Sequence, residues 1–163
     1  MPAKDLCPCC SGRPYRDCCE PYHTGQREAF AAEALMRSRY SGFAKKQVDY
    51  LWRTLHAEHE DRGRGEAEVK SQLRDSIRSF KYMGLTILET RSPDGEGIAR
   101  VLFLARIFEK GREGSFVELS EFAHDGVGWR YLGGEPVLVA RLRADPEKLT
   151  IDGFRAAAGA RAR

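Results

Sequence analysis

Every cysteine of this chain, five in all, falls in the run Cys7-Pro8-Cys9-Cys10-Ser11-Gly12-Arg13-Pro14-Tyr15-Arg16-Asp17-Cys18-Cys19. Thiols packed this densely suit a soft cation, and zinc takes four thiolates in a tetrahedron. A short loop that closes on itself can supply two ligands from each end. The two ends here are a Cys-x-Cys arm, Cys7 and Cys9, and a Cys-Cys arm, Cys18 and Cys19. Between them Ser11, Gly12 and Pro14 favour a chain reversal. A disulfide knot is the competing reading, and the compartment decides between the two. The start Met-Pro-Ala-Lys-Asp-Leu lacks the apolar core of a secretory signal, and no later stretch approaches a membrane span. An odd number of cysteines also fits a reducing compartment better than a secreted disulfide framework. The expectation is a cytoplasmic protein whose thiols bind Zn2+, with an iron–sulfur cluster as the alternative.

The run CPCCSGRPYRDCC resembles the SEC-C motif, the small zinc-binding module at the C-terminus of the SecA translocation ATPase. The usual pattern CPCGSGxxYxxCC is matched at every marked position except Cys10, where glycine is usual. The resemblance implies that Cys7, Cys9, Cys18 and Cys19 are the metal ligands and that Cys10 is not. If the usual glycine sits at positive φ, a cysteine there carries strain; a spare thiolate would also be open to oxidants. Four thiolates on a dication leave a net charge of −2, to be relieved by loop N–H groups and by nearby cations such as Lys4, Arg13 and Arg16. Asp5, Asp17 and Glu20 work against them. Tyr15 is expected to pack over the metal. With no coordination position left open, the site reads as a structural staple rather than a catalytic zinc.

The rest of the chain must carry this knuckle, and it reads as one compact domain. A helix is expected over about residues 27–41, closed by Gly42, with Phe30, Ala34 and Leu35 on its apolar face. A second, over about 45–60, places Val48, Leu51, Trp52 and Leu55 at i, i+3, i+4 and i+7. A third, over 66–80, aligns Val69, Leu73, Ile77 and Phe80. From Met83 the apolar period becomes two. Strands are expected from about Leu85, over 98–109, over 115–124 and over 129–132, joined by short glycine-containing turns. Helices followed by an antiparallel meander indicate an α+β domain with the helices on one sheet face. The expected division is a metal module over 1–25, an α+β domain over 26–135 and a basic C-terminal extension over 136–163.

A wider resemblance runs through Leu35-Met36-Arg37-Ser38-Arg39-Tyr40-Ser41-Gly42-Phe43, Asp49-Tyr50-Leu51, His56, Gly84-Leu85-Thr86, Glu118-x-Ser120-x-Phe122 and Trp129-x-Tyr131. These segments are similar to the YchJ family, bacterial SEC-C proteins of unassigned activity. The resemblance implies a nuclear-transport-factor-2-like, or cystatin-like, cone of about three helices on a four-stranded antiparallel meander. It departs at Tyr82, where tryptophan is common, and at Ala57, where proline is common. No second SEC-C motif closes the chain.

A cone of this kind can hold a small molecule or an active site, so its polar residues need placing. The candidates are Asp49, His56, His59, Glu118, Glu121 and His124. Alternation puts Glu118, Ser120 and Phe122 on one sheet face and Leu119 and Glu121 on the other, so the two glutamates cannot share a cavity. A lone strand carboxylate is usually solvated or paired across the sheet, here with Arg100 or Arg106. His56 and His59 are spaced to share a metal, although exposure at a helix end is the commoner fate. Of Arg37 and Arg39, one is expected to be buried and to bind backbone carbonyls. No nucleophile elbow, phosphate loop or catalytic set is visible, so no enzyme is expected. The net charge of +3 is too mild to indicate nucleic-acid binding by itself. Basic residues do gather late, at Arg141, Arg143, Lys148, Arg155, Arg161 and Arg163, where a solvated tail is expected and an RNA-contacting arm is the alternative. The SEC-C resemblance implies a protein or ribosome partner, as the SecA module contacts the SecB chaperone and the ribosome. The expected role is therefore macromolecular interaction, at the ribosome, in protein export or in quality control.

Overall fold

The computed structural model describes residues 5–158, with Arg155 described by its backbone only. After the cysteine loop come α1 (Glu20–His23), α2 (Ala32–Ala44), α3 (Val48–Arg53) and α4 (Glu66–Ser79). The sheet follows: β1 (Phe80–Arg91), β2 (Ala99–Glu109), the two-residue β3 (Arg112–Glu113), β4 (Phe116–His124) and β5 (Trp129–Leu138). A last helix, α5, spans Ile151–Ala157. The sheet is antiparallel in the order β1-β2-β4-β5, with β3 paired to the end of β2. This is the expected meander, extended at both ends. Register breaks in β1 at Tyr82/Gly84 and Ile87/Glu89, and between β4 and β5 at Glu121/Phe122, are bulges. Bulges bend strands and increase their twist, which is how a short meander curls around helices.

Two helices depart from their expected bounds, each for a physical reason. The first begins at Ala32 rather than near Arg27, so Phe30 lies before it and is exposed instead of forming part of its apolar face. It also runs through Gly42 to Ala44. Gly42 faces α3, where an added Cβ would come 3.2 Å from a Leu51 methyl. The glycine thus serves helix–helix approach and not termination. The second helix stops at Arg53, because the next residues pair with β5. Tyr131 N–H donates to Thr54 O at 2.8 Å and His56 N–H to Tyr131 O at 2.9 Å. Arg62, stacked on Trp52, donates from Nη2 to the carbonyls of Trp52 and Leu55 at 3.1 and 2.8 Å, satisfying acceptors that the helix end exposes. The third helix occupies its expected span nearly unchanged.

Side chains alternate across the sheet into two cores. One face of β1, β2 and β4 presents Leu85, Ala99, Val101, Phe103, Ala105 and Phe122 to α2 and α3, through Leu35, Met36, Tyr40 and Tyr50. The other face presents Leu102, Leu104, Val117 and Leu119 to Leu149, Ile151, Phe154 and Ala157. Helices therefore cover both faces, a correction to the single covered face expected above. The C-terminal segment is correspondingly a packed layer over residues 149–157. Thr150 caps α5 by accepting from Gly153 N–H, and Glu89 accepts from Ile151 N–H at 3.0 Å. Arg91–Asp152 and Arg106–Glu147 tie it to the sheet. β5 runs on to Leu138, through the boundary placed at residue 135. Of the late basic residues, Arg161 and Arg163 lie outside the described residues, as does the Arg155 side chain. No helix among the described residues is long and apolar enough to cross a membrane.

Candidate metal centre

The cysteine run folds back on itself. Cys7 N–H donates to Arg13 O at 2.9 Å, and Leu6 bridges Pro14 across the reversal. Left-handed backbone at Cys10 (φ 63°) and Gly12 (φ 82°) makes the bend. A single 3-10 turn, Tyr15–Asp17, then delivers Cys18 and Cys19 just ahead of α1. The result is one compact set: the sulfurs of Cys7, Cys9, Cys18 and Cys19 all lie within 4.8 Å of one another. Cys9–Cys18 and Cys18–Cys19 are separated by 3.6 and 3.9 Å. A tetrahedron of sulfurs about 2.3 Å from zinc has edges of about 3.8 Å, so the spacing fits a four-thiolate ion. All five cysteines are free thiols. Among the described residues this is the only group of histidines, cysteines and carboxylates arranged to hold a metal; His56 and His59 are not brought together for one.

Electrostatics also favour a cation here. Hydrogen bonds from Cys19 and then Cys7 hold the Cys9 thiol far below its ordinary range. Hydrogen bonds to Cys7 and Cys9, together with burial, push Cys19 far up. Buried thiols in contact cannot all ionise against one another, and a dication is what lets them do so.

Surrounding residues fasten the loop to the domain. Arg37 donates from Nη1 to Cys9 O at 2.8 Å, and the Ser41 hydroxyl lies 3.6 Å from Cys7 Sγ. Ser11 Oγ is 3.2 Å from Cys18 Sγ. Tyr15 does pack beside the cluster. Lys45 Nζ sits over its ring, and its hydroxyl meets His23 Nδ1 at 2.6 Å. The other His23 nitrogen lies 2.8 Å from Ser38 O. Because that carbonyl can only accept, Nε2 carries the proton and the Tyr15 hydroxyl donates to Nδ1. Sequence reading missed His23, for a histidine just past the cysteines carries no signal until α2 is beside it. Arg13 and Arg16 instead turn to Asp17, by a bond to its carbonyl and a 3.8 Å surface ion pair. Lys4 lies outside the described residues. Cys10 points away from the cluster, exposed, its Sγ 3.4 Å from Leu85 N.

The remaining candidates are dispersed. Asp49 is exposed and pairs with Lys70 at 2.8 Å. His56, His59 and His124 each accept a turn N–H at Nδ1, from Glu58, Asp61 and Gly126. His59 is buried against the Tyr131 ring, and not exposed as expected for a helix-end histidine. Glu121 pairs with Arg100 at 2.8 Å on the outer face. Both arginines of α2 bind carbonyls, Arg39 donating to Leu51 O at 2.8 Å and to Thr54 Oγ1 at 2.6 Å.

Glu118 lies on the sheet face that packs on α2, opposite Glu121, as alternation requires. It is half-buried and among the described residues makes no salt bridge: Ser120 and Tyr131 hydroxyls both donate to its Oε2, the latter at 2.9 Å. Burial pushes its carboxyl up, against the pull of those hydroxyls and of Arg39. It borders a cavity of about 630 Å³ between α2, α4 and the sheet.

Comparison with known proteins agrees with both parts of the chain. Residues 4–21 match the SEC-C motif, and residues 31–134 match the family described as YchJ, middle NTF2-like domain. A SEC-C motif containing protein from Rhodopseudomonas palustris, solved in solution, is 31% identical over 79% of this chain and 96% of its own, with a TM-score of 0.67. The crystal structure of another such protein, from Psychrobacter arcticus, shares the fold at 23% identity, covering 88% of this chain and 89% of that one with a TM-score of 0.64.

Proposed function

The chain belongs to the YchJ family, a SEC-C motif followed by an NTF2-like domain, and from that premise we propose that it is a non-enzymatic, zinc-stapled protein of the cytoplasm that binds a macromolecular partner. The observation that carries the reading is the closed set of four sulfurs, built into the domain and leaving no coordination position for chemistry. Zinc is the ion of choice because the donors are all thiolates and the spacing suits one small ion. When bound, it neutralises the thiolates and fixes the loop. Arg37, Ser11 and Ser41 orient that loop from outside.

The engagement of the polar candidates elsewhere supports a binding role. Asp49 and the histidines His56, His59 and His124 are engaged in ion pairing or turn capping, and the cavity carboxyl Glu118 has hydroxyls and an arginine around it, with no imidazole. The docking surface is the exposed rim of the knuckle, Gly12, Arg13, Arg16 and Asp17, facing a ribosomal or protein partner. Metal analysis of the purified protein should give about one zinc per chain, lost in Cys9→Ser and in Cys18→Ser. A folded, metal-free wild type would overturn the metal assignment. Co-sedimentation with purified ribosomes, and capture of export and quality-control factors, should weaken in an Arg13→Ala/Arg16→Ala variant that keeps its zinc. Equal recovery by that variant would remove the rim from the interaction.

A further inference from the structure

The cavity beside Glu118 has the make-up of a ligand site. Its walls are apolar and aromatic: Met36, Phe43, Leu73, Phe103, Ile107 and Phe116. Its volume, about 630 Å³, falls within the usual range for small-molecule pockets. Three polar groups converge at one end.

Arg39 is buried, and both of its side-chain hydrogen bonds among the described residues are made by Nη1. Its guanidinium lies over the Tyr131 ring at 4.7 Å, and among the described residues no carboxylate forms a contact ion pair with it, Glu118 and Asp61 acting on it only from further away. A buried guanidinium with no carboxylate in contact is costly unless something pairs with it directly. The second group is Glu118. Both hydroxyls donate to its Oε2, which leaves Oε1 without a protein partner while the residue lines the cavity. Oε1 is thus the carboxyl oxygen that this residue presents to the cavity. Gly134 leaves room for this arrangement, since an added Cβ would collide with the Glu118 carboxyl. The third group, Tyr131, links the other two, its ring against Arg39 and its hydroxyl on Glu118.

We propose that this cavity binds a small apolar monocarboxylate, its anionic head paired with the Arg39 guanidinium at the end of the cavity that Glu118 and Tyr131 border, and its hydrocarbon or aromatic body lying along the α2, α4 and β2 walls. Burial raises the Glu118 carboxyl, which lessens its charge repulsion of an anionic head. A cationic head would meet Arg39 directly. An uncharged one would leave the guanidinium without a counter-charge. The inference stands apart from the partner reading above, and neither depends on the other.

The test is calorimetric titration of the full-length, zinc-loaded protein with three probes of equal chain length, each kept below its aggregation threshold: decanoate, decan-1-ol and decyltrimethylammonium. Decanoate should bind one to one and at least about tenfold more tightly than the alcohol, with no measurable binding of the ammonium. Ala105→Phe, which fills the cavity from β2, should abolish decanoate binding. Should that variant fail to fold, methyl resonances in the wild type serve instead. Met36, Leu73 and Ile107 should shift with decanoate, while Leu149 and Ile151 on the opposite face should not. Equal affinity for the three probes, tighter binding of the ammonium, a folded Ala105→Phe that binds as wild type, or shifts confined to the opposite face would each overturn the proposal.

Discussion

Glu118 is the residue whose surroundings most change its meaning. A glutamate on a strand is ordinarily solvated; this one is half-buried beside the cavity, with two hydroxyls on one oxygen. Its carboxyl titrates higher folded than unfolded, so its contribution to stability is present at acid pH and lost as pH rises through the raised value. Glu118→Gln keeps the shape and removes the charge. The melting temperature of Glu118→Gln relative to wild type should therefore be near zero difference at acid pH and grow positive toward pH 8, by about 2–4 °C per kcal/mol. A difference that stays flat with pH would show that the carboxyl is not held protonated. Cys10 is the other residue whose role is decided by backbone. It occupies the left-handed position (φ 63°) that a glycine enters without strain. The thiol there is a tolerated substituent on the loop, outside the set of four.

Among the elements, α5 carries the clearest energetic consequence. Phe154 is almost wholly buried, and with Leu149 and Ile151 it covers Leu102, Leu104, Val117 and Leu119 on the outer sheet face. Phe154→Ala should cost about 3–5 kcal/mol in chemical denaturation, the range for a large aromatic lost from a core. A cost below about 1 kcal/mol would mean that the segment behaves as the solvated tail its basic composition suggests. The sequence held a signal for this layer in Val101-Leu102-Phe103-Leu104-Ala105. An unbroken apolar run in a strand indicates burial on both faces, whereas one covered face gives alternation. α2 is the element that joins the two sites. Arg37 and Ser41 meet the cysteine loop, while Met36, Arg39, Tyr40 and Phe43 line the cavity.

At the scale of the molecule, the metal loop is part of the core and not an appended bead. Cys7, Cys9 and Cys19 are buried in the same cluster as Leu35, Met36, Tyr40 and Phe122. Its removal should therefore be felt throughout. Chelation by a strong zinc ligand should leave a single cooperative thermal transition, displaced downward, with no separate early melting of the knuckle. Two transitions, with the main one unmoved, would make the knuckle an independent module.

The sequence by itself determined which four cysteines come together and the class of fold. Thiolate chemistry is local, requiring only the right residues at the right short spacing, and strand alternation and helical period are properties of neighbouring residues. Tertiary structure decided what depends on distant partners. Leu55 leaves its helix because Tyr131 offers backbone bonds, Gly42 stays helical because Leu51 comes close, and His23 matters because Ser38 lies beside it. The cavity belongs to the same class: Arg39 and Glu118 stand 79 positions apart (118 less 39) in the chain. Only a curled sheet closing on α2 makes them neighbours at one cavity.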